Sequence, residues 1–226
     1  MDKLKTKPIA KAAIKAVIFD CDGTLVDSEV LGAKAMFEVA TGYGFAMPFD
    51  DFVRSYTGRN MALNIELINS FSETPMPEEF ATEVRAAMAV LFELELTEIE
   101  GAKAMLIHLH ERGIPVAIAT NGPRVKAEHT LGLTGLLPFF QTPDSLFSAY
   151  DHHTFKPDPK LFLLAAEFLG VAPEHCAAVE DSLSGLKAAV SAGMQAFSLV
   201  DLASLSERLS PTPIHLEHLA DLERYL

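Results

Sequence analysis

Ile18-Phe19-Asp20-Cys21-Asp22-Gly23-Thr24-Leu25-Val26-Asp27-Ser28 decides how this chain is read. Residues 16–19 have the small and branched apolar side chains of a buried strand. Two carboxylates follow, two residues apart, and then a glycine. Strand residues i and i+2 point to the same side, so Asp20 and Asp22 begin on one face at a strand's C-terminal end. Gly23 lets the backbone turn sharply there. In open α/β sheets ligands bind at that end of a strand. At ~4 Å and an effective dielectric of ~20, two such charges repel by on the order of 4 kcal/mol. A cation or a proton between them removes that cost. An acidic turn at a strand end is the plainer reading, but a buried strand rarely ends in a charge pair for packing alone.

Outward from this stretch, apolar runs suited to buried parallel strands recur at 15–19, 114–119, 176–179 and 196–199, with a shorter one at 145–148. Helical segments alternate with them at 102–111, 125–131, 159–169 and 184–191. Gly113, Gly170 and Gly193 stand where helix C-caps are expected. The alternation predicts an α/β fold, a parallel β-sheet flanked by helices. Residues 28–98 break it. That stretch shows no good strand, only helix-like segments at 29–41, 50–56, 60–71 and 77–96. The last carries Phe80, Val84, Ala87/Met88 and Leu91 at helical spacing. It is also acid-rich, with 12 acidic against 4 basic side chains over 29–98. We expect a core of 1–27 and 99–226 and an inserted all-helical domain of 28–98, with hinges near Asp27 and Glu98.

The chain has 226 residues, 49% of them hydrophobic, enough for cores in both units. Phe (15) and no Trp fill the aromatic positions. A net charge of -13 argues against nucleic acid and against anionic membranes as partners. An anionic substrate then needs local cations or a metal. Cys21 and Cys176 lack metal-ligand spacing and read as buried packing residues of a reduced, cytoplasmic protein. No apolar run reaches transmembrane length. Lys3, Lys5, Lys7, Lys11 and Lys15 are expected on a solvated arm, and a monomer is the default.

Three more motifs end predicted strands. Thr120-Asn121-Gly122 offers a hydroxyl and an amide N–H to anionic oxygens, although on its own it reads as a turn. Lys156-Pro157-Asp158-Pro159 sets a lysine before a helix, with Asp158 expected as N-cap and the Lys156–Pro157 bond expected cis. Glu180-Asp181-Ser182 offers carboxylate oxygens suited to Mg²⁺, and Ser182 or Ser184 to cap the next helix.

In this order the four motifs resemble those of the haloacid dehalogenase-like hydrolase superfamily, across roughly residues 14–28 and 99–200. The helical insert lies where that family has an α-helical cap. Asn121-Gly122-Pro123 is most similar to the sugar-phosphate phosphatases of the β-phosphoglucomutase-like group. The resemblance implies a Rossmann-like core and an Mg²⁺-dependent phosphatase acting on a small phosphorylated metabolite through an aspartyl-phosphate. It implies Asp20 as nucleophile and Asp22 as acid and base. It gives Mg²⁺ to the Asp20 carboxylate, the Asp22 carbonyl and Asp181, with Glu180 near or through water, and phosphoryl binding to Thr120, Asn121 and Lys156. By position, Gly58 and Arg59 lie on a substrate-specificity loop, and Glu29 faces the cleft near the hinge. A solvent-facing Arg59 fits equally well, and Arg124 reads either as a second anion contact or as surface. Related phosphosugar mutases carry a His twelve residues after the nucleophile, where this chain has Gly32. A mutase and a phospho-Asp signalling module remain as alternatives.

Overall fold

The computed structural model describes residues 12–56, 61–140 and 144–226. The Lys-rich segment 1–11 and the expected specificity residues Gly58 and Arg59 lie outside the described residues. In chain order come β1 (Ala16–Phe19), α1 (Ser28–Gly42), α2 (Phe49–Tyr56), α3 (Met61–Ser70), α4 (Phe80–Glu95) and α5 (Ala102–Glu111). Then follow β2 (Val116–Thr120), α6 (Arg124–Leu133), β3 (Leu146–Ser148), α7 (Ala149–His152) and α8 (Lys160–Leu169). β4 (Cys176–Glu180), α9 (Leu183–Ser191), β5 (Gln195–Ser198) and β6 (Ile214–His215) close the series.

All five strand pairings are parallel, in the order β3-β2-β1-β4-β5-β6. β1 is central, and its side chains alternate between the two faces. Val17 and Phe19 enter one hydrophobic cluster with helix α5. Ala16 and Ile18 enter the other, with α8 and α9. Cys21 and Cys176 are buried, one in each cluster. The chain runs from β1 to β2 and β3 on one side and crosses to β4 on the other. The crevice beyond the C-terminal ends of β1 and β4 is therefore the switch point at which such sheets bind ligands. β6 was not expected: it is two residues long and follows Pro211 and Pro213, which suppress a strand pattern.

Helices α1 to α4 have a hydrophobic cluster of their own, built on Met36, Phe45, Phe52, Ile68, Phe80 and Val84. Phe45 and Phe52 meet edge to face, with ring centroids 5.7 Å apart. The buried row on α4 is Phe80, Val84 and Phe92, with Met88 partly buried between them. Leu91, expected in that row, stands one position off this i, i+4 line. The two connections lie side by side. Asp27 N–H donates to Thr97 O at 3.0 Å and Ile99 N–H to Leu25 O at 2.9 Å, around a bridge between Val26 and Glu98. On this basis we propose that 28–98 is the cap and that 1–27 with 99–226 is the core.

Candidate active site

Each acidic motif sits at the end of the strand that leads into it. The register pairs Phe19 with Val179, so Asp20 and Glu180 emerge side by side, and Asp20 N–H donates to Val179 O at 2.9 Å. The same register pairs Phe19 with Ile118 and brings Thr120 to the other flank.

Lys156 joins these ends. Its Nζ donates to Asp20 Oδ1 and to Glu180 Oε1, both at 2.5 Å, and lies 5.1 Å from the centre of the Phe162 ring. Its side chain is 2% exposed and that of Glu180 is 0% exposed. Burial favours a neutral amine, but the two carboxylates outweigh it and hold Lys156 cationic. The Lys156–Pro157 peptide is cis, as expected. Asn121 Oδ1 accepts the Lys156 N–H at 2.8 Å, so the Asn121 side chain fixes the lysine's backbone. Asp158 precedes the N-cap, which is Pro159. The Asp158 carboxylate still accepts the first-turn N–H of Lys160 at 2.8 Å. The departure is one of register: α8 begins one residue later than Asp158 as N-cap requires.

Glu180 is held further by Ser182, whose N–H and hydroxyl donate to Oε2 at 3.2 and 2.9 Å. Ser182 also caps α9 by accepting from Gly185 N–H. A Cβ on Gly185 would come within 1.8 Å of the Glu180 carboxyl carbon. Gly23, at φ +79°, plays the same part for Asp181, since a Cβ there would lie 2.0 Å from Oδ2. Both glycines are close-approach positions that admit a carboxylate.

Asp20, Glu180 and Asp181 bring carboxylate oxygens within 4.8 Å of one another. Burial raises Asp20, Lys156 opposes that rise and Glu180 adds to it, and the carboxyl is pushed up to about 8. Asp181 is raised well above the carboxylate range by burial, then by Asp20 and Glu180. An all-oxygen set of crowded, desolvated acids around a glycine cradle fits a hard divalent cation such as Mg²⁺. The Asp22 carboxylate stands outside this cluster.

Asp22 turns to a different environment. Oδ1 accepts from the Ser28 hydroxyl and from Lys126 Nζ, the latter at 2.8 Å. Oδ2 faces Gly122, whose Cβ, if present, would lie 3.2 Å from it and 3.3 Å from Thr120 Oγ1. Burial raises the Asp22 carboxyl, but Lys126 and Ser28 outweigh it and leave it below its ordinary value. The Lys126 amine was not singled out in the sequence reading. Its signal there was weak: a lysine one turn into a helix, five residues after Asn121. Glu29, partly buried on α1, is raised by burial and then by Asp22. Arg124 is directed away from the site: it donates to Leu146 O and to Asp151, each at 2.6 Å.

Comparison with known proteins matches this geometry to a family. Residues 14–193 match the model of the haloacid dehalogenase-like hydrolases, and the chain belongs to that family. It is an enzyme, a phosphatase of the family. It is 37% identical to 6-phosphogluconate phosphatase of Escherichia coli over 185 residues, 81% of each chain. It is 34% identical to a phosphorylated carbohydrates phosphatase of Thermotoga maritima, over 80% of this chain and 83% of that one. Among solved structures it is similar to a hydrolase of the family from Deinococcus radiodurans with bound phosphate and sodium. There the TM-score is 0.71 and the identity 28%, over 83% of this chain and 81% of that one. No described helix is long and apolar enough to cross a membrane.

Proposed function

We propose that the chain hydrolyses the phosphate monoester of a small phosphorylated sugar through an aspartyl-phosphate on Asp20, with Mg²⁺ as cofactor. The observation that carries this reading is the division of labour between the two aspartates. Asp20 lies among Lys156, Glu180 and Asp181, whereas Asp22 is held apart by Ser28 and Lys126 through Oδ1, with no described residue hydrogen-bonded to Oδ2. Asp20 attacks phosphorus in line, forming an aspartyl–phosphorus bond as the ester P–O bond breaks. Asp22 gives its proton to the departing alcohol. The incoming dianion supplies that proton-bearing state, since its charge beside Asp22 raises the carboxyl. Water then attacks the acyl phosphate, Asp22 takes its proton, and inorganic phosphate leaves with the Asp20 carboxylate restored. Lys156, Thr120 and the Asn121 N–H hold the phosphoryl oxygens during both transfers. Mg²⁺, held by Asp20 and Asp181 with Glu180 adjacent, supplies charge neutralisation when bound.

Relatives named for phosphorylated carbohydrates support the sugar class. The mutase reading loses support at Gly32, because a side chain there meets the Tyr56 hydroxyl at 2.7 Å from Cβ. Steady phosphate release from a panel of sugar phosphates with purified enzyme and Mg²⁺ tests the proposal. Isomerisation of a hexose 1-phosphate without phosphate release would overturn it, as would a single stoichiometric phosphorylation.

A further inference from the structure

Gly32 on α1 and Tyr56 on α2 meet in close contact. Helices α1 and α2 approach so closely at Gly32 that an added Cβ would lie 2.7 Å from Tyr56 Oη and 3.3 Å from Met88 Cε. The absence of a side chain at 32 therefore lets a phenol hydroxyl stand there. The Tyr56 ring is braced by Phe52, with centroids 5.8 Å apart. Its hydroxyl makes no hydrogen bond to any described residue. Gly32 lies one helical turn after Ser28 on the same face of α1, and the Ser28 hydroxyl donates to Asp22, so the Tyr56 hydroxyl stands one turn from the Asp22 carboxylate. Lys126 reaches the same cleft from the core helix α6. Its Nζ is 2.8 Å from Asp22 and 5.9 Å from the centre of the Phe92 ring on α4.

We propose that the Tyr56 hydroxyl, with the Lys126 amine beside it, forms a leaving-group subsite that binds a substrate hydroxyl close to the phosphate ester. This rests on the phosphatase reading above and names what it selects. None of these groups is needed for the transferred phosphoryl group, which Lys156 and Thr120 serve. Charge bears on what they bind: among the described residues, Asp22 and Glu29 set two carboxyl groups beside the Lys126 ammonium, a balance that suits a neutral group. A hydroxyl suits it, donating to Glu29 and accepting from Tyr56 or Lys126. The leaving group is accordingly a polyhydroxylated carbon chain, that of a sugar or sugar alcohol.

Tyr56→Phe keeps the ring and removes the hydroxyl. The measured quantity is the ratio of kcat/KM for a hexitol phosphate to that for p-nitrophenyl phosphate, whose leaving group has no sugar hydroxyls. One lost hydrogen bond to substrate lowers this ratio by about tenfold, mostly through KM. Gly32→Ala, which displaces the hydroxyl sterically, lowers the ratio to a similar degree. The double variant Gly32→Ala/Tyr56→Phe is no worse than Tyr56→Phe alone, because removing the oxygen removes the clash. Unchanged ratios in folded Tyr56→Phe and Gly32→Ala enzymes, or additive losses in the double variant, would overturn the subsite and leave the phosphatase reading intact. A wild-type enzyme that hydrolyses neither substrate would overturn both.

Discussion

Lys126 Nζ stands 2.8 Å from Asp22 Oδ1 and so ties helix α6 to the second aspartate of the first motif. With Ser28 on the same oxygen, it leaves Oδ2 toward Gly122 and Thr120. Lys126→Met removes the attraction that keeps the Asp22 carboxyl below its ordinary value, so that carboxyl rises. The alkaline limb of the kcat profile, which follows loss of the Asp22 proton in the enzyme–substrate complex, then moves to higher pH. With acid–base positioning lost, kcat for a sugar phosphate falls by about 10²-fold. A pH–rate profile superimposable on that of the wild type would contradict this.

Asp20→Asn leaves a side chain of the same shape without a nucleophilic carboxylate. Phosphate release falls by at least about 10³-fold, the order expected when a covalent nucleophile is lost. Circular dichroism should be unchanged, because Lys156 keeps Glu180 as its partner. Near-normal turnover in a clean preparation would reassign the nucleophile.

Magnesium dependence should vary with pH. The folded-state carboxyl of Asp20 is raised to about 8, and unfolded it titrates near its ordinary value. The folded, metal-free protein therefore holds extra protons between those values, and its stability from this group falls as pH rises toward 8. Mg²⁺ binds the ionised acids and must displace those protons at low pH. The rise in Tm on adding Mg²⁺ is larger at pH 8 than at pH 6, and chelation abolishes activity at both. Scanning calorimetry with and without Mg²⁺ at the two pH values measures it.

Gly23→Ala places a methyl 2.0 Å from where Asp181 Oδ2 now lies, on a backbone at φ +79°. Asp181 must move, and the Mg²⁺ concentration for half-maximal activity increases by about tenfold or more. Gly185→Ala pushes on Glu180 instead and so disturbs the anchor of Lys156. It should raise KM for phosphate esters along with the Mg²⁺ requirement. The split between the two variants is read from KM for the phosphate ester at saturating Mg²⁺.

Much of the site could be read along the chain because each motif is local. A buried apolar run followed at once by Asp20 and Asp22, or by Glu180 and Asp181, carries both its strand and its chemistry within a dozen residues. Strand alternation then places the carboxylates, and the same logic located α1 to α4. What was less legible depended on distant partners. Lys126 and Tyr56 look like ordinary helix residues until α6, α1 and α2 converge on one cleft. Gly32 was noticed for the side chain it lacks, but what occupies that space follows from how two helices pack. Arg124 read equally as an anion contact or as surface, and the fold pairs it with Leu146 O and Asp151.

The sequence by itself determined the parallel α/β core, the helical insert, the four motifs at strand ends and the pair of acids at their centre. Those features depend on periodicity and on neighbours a few residues apart. Tertiary structure decided which oxygen of Asp22 faces Gly122, why Gly23 and Gly185 carry no side chain, and which hydroxyl stands beside Gly32. Each of those is a contact of a few ångströms between segments far apart in the chain. Only packing of the whole molecule brings such groups together.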